Sequence, residues 1–211
     1  ASDYASLVWG GGHLLQTANS AALVATWWMT APGRTRAWGL PVQVSFIGFV
    51  IALAAVELFS VTSLPWDFFA PVFWASLAVP VVTAWLVTAL ILYRRHKDTG
   101  LPLDEVSPLL FSLALYGVGG LIALTGMEND TRVTAHYHGV VGAVTIMFMG
   151  LTYRLFSWLG VGIQWKRVFR LQPYVYGCGL LLLIAGMFWA GEVGATRKTF
   201  EAIPKDPALL A

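Results

Sequence analysis

The sequence predicts an all-α fold, a polytopic membrane bundle of six transmembrane helices, and two observations carry that expectation. Of its 211 residues, 57% are hydrophobic and 11% charged, with a mean hydropathy of +0.69. A soluble domain carries about 25% charged residues. The apolar residues are also gathered into uninterrupted runs, and a run of about 20 crosses the bilayer hydrocarbon as a helix. Six such runs occur, at 6–29, 40–61, 68–93, 108–127, 134–158 and 174–192. So little chain lies between them that residues 1–211 read as a single transmembrane domain with no soluble domain, and any chemistry must sit in the bundle or at its rim.

The segments between the runs alternate in charge. Arg34 and Arg36 follow the first, Arg94, Arg95 and Lys97 the third, and Lys166, Arg167 and Arg170 the fifth. The other connections hold Asp67, then Glu128 and Asp130 against Arg132. The positive-inside rule therefore places both termini on the outer side of a membrane, read as a bacterial inner membrane. His96, within Arg-Arg-His-Lys, is expected in a solvated cytoplasmic loop. Trp9, Trp27, Trp28, Trp66, Trp158, Trp165 and Trp189 mostly fall near run ends, where an aromatic belt accounts for them. Cys178, the single cysteine, lies inside the last run and is expected to pack there, since one thiol builds no disulfide or cysteine metal site within the chain. A net charge of +2 gives no reason to expect a nucleic-acid partner; lipid is the expected environment. The chain opens Ala-Ser-Asp without a basic leader, and is expected to be processed or a piece of something longer.

The residues that point to chemistry are Thr134-Ala135-His136-Tyr137-His138-Gly139, at the start of the fifth run. Two residues along an α-helix is a rotation of about 200°, so the imidazoles leave on nearly opposite sides and cannot share one ion. They can serve two flat cofactors, one on each flank. Titratable side chains in a membrane helix are costly and usually functional, and neutral imidazole is the usual proximal ligand of haem iron. The alternative is a pair of histidines bonded to nearby backbone or lying at headgroup level. Gly139, Gly142 and Gly150 follow, allowing a macrocycle or a second helix to approach.

By the same topology His13 falls near the outer face, at a depth similar to His136 and His138. It stands in Trp9-Gly10-Gly11-Gly12-His13, where three glycines weaken the helix and leave room for a cofactor or another helix, with Gln16 and Asn19 continuing its polar face. Arg197 and Lys198 follow the sixth run on that side. Such a pair either anchors the helix at the interface or pairs carboxylates such as haem propionates. Glu57 is an intramembrane acid, readable as a relay member, a metal ligand, or a protonated group facing another helix.

Ala135-His136-Tyr137-His138, the run after it and the Gly-Gly-His of the first run resemble the haem-copper oxidase and nitric oxide reductase superfamily, in the second half of catalytic subunit I, helices six to eleven. The resemblance implies that His136 ligates a high-spin haem and His138 a low-spin haem. It matches His13 to the first ligand of the copper or non-haem iron ion, and 194–198 to the propionate-binding segment with Arg197 and Lys198. The pattern is incomplete, because Val61-Thr62-Ser63-Leu64-Pro65 lacks the family's histidine pair, so no complete trihistidine copper site is expected. Thr17 stands where most oxidases carry a tyrosine. The opposing ligand of the low-spin haem belongs to the half of subunit I that is absent here.

These features lead to an expected haem-binding integral membrane subunit of a respiratory complex, holding one or two haems and passing electrons from a cytochrome c-like donor. Other membrane subunits are expected as partners, one supplying the missing N-terminal half. Two alternatives stay open: a catalytic NO or oxygen reductase fragment completed by partner chains, and a haem-free structural subunit.

Overall fold

A computed structural model describes residues 4–32, 39–62, 64–101, 106–127, 130–162 and 166–197, without the side chains of 4–10, 60, 61, 66 and 166. The described residues are 87% helical and include no strand. Its six helices are α1 (Tyr4–Thr30), α2 (Gly39–Val61), α3 (Trp66–Thr99), α4 (Ser107–Ala123), α5 (Thr131–Trp158) and α6 (Lys166–Glu192). Among the described residues, Gly39–Phe59, Asp67–Thr99, Thr131–Trp158 and Arg167–Glu192 are long and apolar enough to cross a membrane. Helix α4 is shorter, its 17 residues spanning about 25 Å. The protein is an all-α integral membrane bundle.

Three helix ends depart from the apolar runs. Helix α3 continues through Arg94, Arg95, His96 and Lys97, because Arg and Lys propagate a helix well. It stops where Gly100 adopts φ 63° and its N–H bonds to His96 O at 3.0 Å. His96 is thus helical and exposed, not in a loop, and its Nδ1 lies 3.0 Å from Leu101 O. Helix α6 starts at Lys166, eight residues before the apolar run, with Pro173 inside it. Helix α4 stops at Ala123, ahead of a turn at Gly126 with φ 68°.

Helix α5 is central, packing against α4, α6 and α1, while α2 pairs mainly with α3. The α4–α5 seam is backbone on backbone: a Cβ on Gly139 would stand 2.7 Å from Gly119 Cα and 2.9 Å from Leu115 O. Gly150 meets Pro108, and Gly142 is covered by Leu180 of α6. The glycines that follow the two histidines therefore serve close helix packing.

Polar links between helices fix the register. Trp27 Nε1–H donates to Ser112 Oγ at 2.8 Å, and that hydroxyl donates to Ala143 O at 2.9 Å, joining α1, α4 and α5. Trp85 Nε1–H of α3 donates to Leu113 O of α4 at 2.8 Å. Arg154 of α5 reaches Met29 O at 3.2 Å and Thr30 O at 2.8 Å, capping carbonyls that the end of α1 would leave unpaired. Helices α1 and α5 hence run parallel, their C-terminal ends together. Trp27, assigned from its position to an aromatic belt, is instead wholly buried. Trp27→Phe removes the donor and is expected to cost about 1–2 kcal/mol, read as a lower thermal unfolding midpoint; an unchanged midpoint would show that the bond does not hold α1 to α4.

The apolar interior divides. The larger part includes Trp27, Val81, Ile91, Leu115, Ala143, Met147 and Ile184. A second cluster of Ala52, Ala55, Val56, Phe73 and Leu77 lies between α2 and α3. Helix α1 touches both. Its C-terminal half bonds to α4 and α5, while further up His13 packs its ring edge-on to Phe73 at 5.1 Å and Trp74 at 5.6 Å, both on α3. The larger cluster thus lies toward the Arg154 end and the smaller one toward the end that carries His13, with Phe49 packed against both.

Candidate functional site

His13 and the two histidines of α5 lie at the same end of the bundle. His13 precedes Thr30 by 17 residues and His136 precedes Arg154 by 18. With α1 and α5 parallel and tied at Thr30–Arg154, the two imidazoles stand at similar levels, about 26 Å from that tie.

The start of α5 is held firmly. Asp130 is its N-cap, accepting from Arg132 N at 2.7 Å. The Arg132 guanidinium pairs with Asp130 at 2.7 Å and with Glu192 of α6 at 3.0 Å. Thr131 Oγ1 donates to Met187 O at 2.7 Å. Beyond α6 the chain turns back at Gly194, φ 90°, a conformation that costs glycine little. Thr131 N then donates to Ala195 O at 3.1 Å, and Asp130 pairs with Thr196. Arg197, the next residue, is carried to the start of α5, beside the turns that bear the histidines. Lys198 lies outside the described residues.

Both histidines are half-buried and both have a backbone carbonyl on Nδ1. His136 Nδ1 is 2.8 Å from Gly119 O of α4, and His138 Nδ1 is 2.8 Å from Thr134 O one turn back. A carbonyl oxygen only accepts, so Nδ1 is the donor in each ring, and in the neutral imidazole this leaves the lone pair on Nε2. Among the described residues neither Nε2 has a hydrogen-bond partner. An Nδ1–H to carbonyl bond is the arrangement that orients ligating histidines and raises their basicity. The two rings leave α5 on different faces, His136 toward α4 and His138 about 200° around the helix. The same bonds also satisfy the alternative of histidines held by nearby backbone.

His13 is half-buried against the α3 aromatics, and Thr17 Oγ1 donates to its carbonyl at 3.0 Å. A Cβ on Gly11 or Gly12 would meet no described atom within 4 Å, so no described helix uses these glycines for close packing. Gln16 and Asn19 are half-buried beside them. Among the described residues no group of three or more His, Cys, Asp or Glu could hold a metal ion. Glu57 is exposed on α2. Cys178, expected to pack, is exposed on α6, because Gly177 is the residue of that turn facing Phe111 of α4. Arg154, which sequence reasoning did not single out, is the residue that ties α1 to α5.

No protein-family model matches the chain, and no solved structure matches it. It is similar to a protein of Aquifex aeolicus described as uncharacterized, 27% identical over 158 residues that make up 74% of this chain and 39% of that protein. An uncharacterized protein of Rickettsia prowazekii is 28% identical over 109 residues, 45% of this chain and 21% of its own length. The chain therefore spans about two fifths or less of the curated relatives it matches.

Proposed function

We propose that the chain is a haem-holding electron-transfer subunit of a respiratory complex, resembling the second half of haem-copper oxidase subunit I. The observation that carries this reading is the shared geometry of His136 and His138, each with Nδ1 engaged by a carbonyl and Nε2 directed away from its bond on a different face of α5. That donor set fits haem iron, as does the open space at Gly11 and Gly12. Bound haem would supply a reversible one-electron change at iron. His136 and His138 hold and orient the group; Arg197, with Lys198, balances carboxylates at the rim. His138 would hold a low-spin haem together with a residue of a partner chain, and a cytochrome c-like protein is the proposed donor. Arg94, Arg95, Lys97, Arg167 and Arg170 gather at the Arg154 end, which supports an orientation with the histidine end and both termini outside a bacterial inner membrane.

The purified complex is expected to show a Soret band assignable to this chain. Its absence would leave a haem-free structural subunit, and reduction of NO or oxygen by the complex, lost with His13→Ala, would favour the catalytic alternative. Arg197→Gln is expected to lower the haem midpoint potential, because an uncompensated propionate favours oxidised iron. An unchanged potential with haem retained would return Arg197 to the role of an interfacial anchor.

A further inference from the structure

The Arg154 end holds a cavity of about 330 Å³ between α1, α4, α5 and α6, within the roughly 300–1,000 Å³ range of small-molecule sites. It has two chemical halves. One is polar: the two arginines Arg154 and Arg170, with Tyr153, Ser107 and Ser157. The other is apolar, including Val106, Leu109, Met147 and Phe169.

The polar half is electropositive, and nothing described neutralises it. Neither Arg154 nor Arg170 pairs with a carboxylate among the described residues. Arg154 uses one nitrogen on each of two α1 carbonyls, two of five N–H donors, and keeps its full charge. The first turn of α4 lines the same space; its cap, Val106, offers no side-chain acceptor, so the amide of Leu109 and the positive end of the helix dipole remain available. Ser107 is 2% exposed and lines the cavity, and its hydroxyl has no hydrogen-bond partner among the described residues. Arg154 and Arg170 are both exposed at the helix ends, and they keep N–H donors beyond the two that Arg154 spends on α1. An anion that accepts several hydrogen bonds can engage both guanidinium groups and the Ser107 hydroxyl.

We propose that this cavity binds the phosphate headgroup of an anionic phospholipid. Arg154, Arg170 and Ser107 contact the phosphate, and the apolar lining receives the start of the acyl chains. Lipid rather than free phosphate is favoured because one wall of the cavity is hydrocarbon, which a bare ion would leave against water. The site is at the opposite end of α5 from His136 and stands independently of any haem.

The test uses the full chain, delipidated in neutral detergent, with phosphatidylglycerol, phosphatidylcholine and inorganic phosphate as probes. Phosphatidylglycerol is expected to raise the thermal unfolding midpoint saturably and to be retained at one molecule per chain in native mass spectrometry. Arg170→Gln is the chosen variant, since Arg170 bonds to no described residue and its loss leaves the α1–α5 tie intact. It is expected to weaken phosphatidylglycerol binding about tenfold. Equal stabilisation by phosphatidylcholine, or an unchanged affinity in Arg170→Gln, would overturn the site. Inorganic phosphate matching the lipid at equal concentration would overturn its assignment to a lipid.

Discussion

If each flank holds one haem as proposed, His136→Ala is expected to remove about half of the Soret absorbance assignable to this chain, and the His136→Ala, His138→Ala double variant all of it. Each imidazole is proposed as the direct protein ligand of its iron, so its loss leaves nothing equivalent on that face of α5. The substitution also deletes the Nδ1–H bond to Gly119 O, worth about 1 kcal/mol, so a fall in haem content has two readings. Added imidazole separates them: it restores the spectrum if a ligand was lost, and does nothing if the α4–α5 seam had come apart. A double variant with its full haem content would sink the proposed function.

Gly139→Val is expected to be the most damaging change to the fold itself. The new side chain meets Gly119 Cα, Leu115 O and Gly119 N, with its first carbon 2.7–3.0 Å from all three. These are backbone atoms of α4 and cannot rotate away, so the helices must part. Over-packing a tight interior costs about 1–3 kcal/mol, and the upper end is expected here because a whole seam moves. Gly120→Ala is the control, as a carbon there meets no described atom within 4 Å, and it is expected to gain a few tenths of a kcal/mol from helix propensity. Equal thermal midpoints for the two variants would show that α4 and α5 do not meet through their glycines. Parting the helices also withdraws Gly119 O from His136, so haem on the His136 face is expected to suffer before haem on the His138 face.

The helical class was legible because apolar runs of bilayer length have few other solutions. The helix ends were less so, since hydropathy reports the hydrocarbon and α3 and α6 extend past it on Arg and Lys. The opposed setting of His136 and His138 follows from helix geometry alone. What lies on their Nδ1 atoms does not, because Gly119 belongs to another helix. The same holds for Trp27, whose partner Ser112 is 85 residues away, and for Arg154, whose partner Thr30 is 124 away. Composition near a run end suits a belt tryptophan and a buried donor equally well. The return of the chain before Arg197 to the start of α5 depends on the turn at Gly194 and on pairing of Asp130 with Thr196, neither of which a charge pattern encodes.

The two ends of α1 are held by different kinds of contact. Separating it from its neighbours at the Arg154 end would strip the Trp27–Ser112 and Arg154–Thr30 bonds and expose the larger apolar cluster. At the other end His13 meets α3 through its ring, and Phe49 of α2 packs against both apolar clusters. Directional bonds that tolerate little displacement thus fix the C-terminal half of α1, while ring contacts, which are less exacting in geometry, meet the half that carries His13.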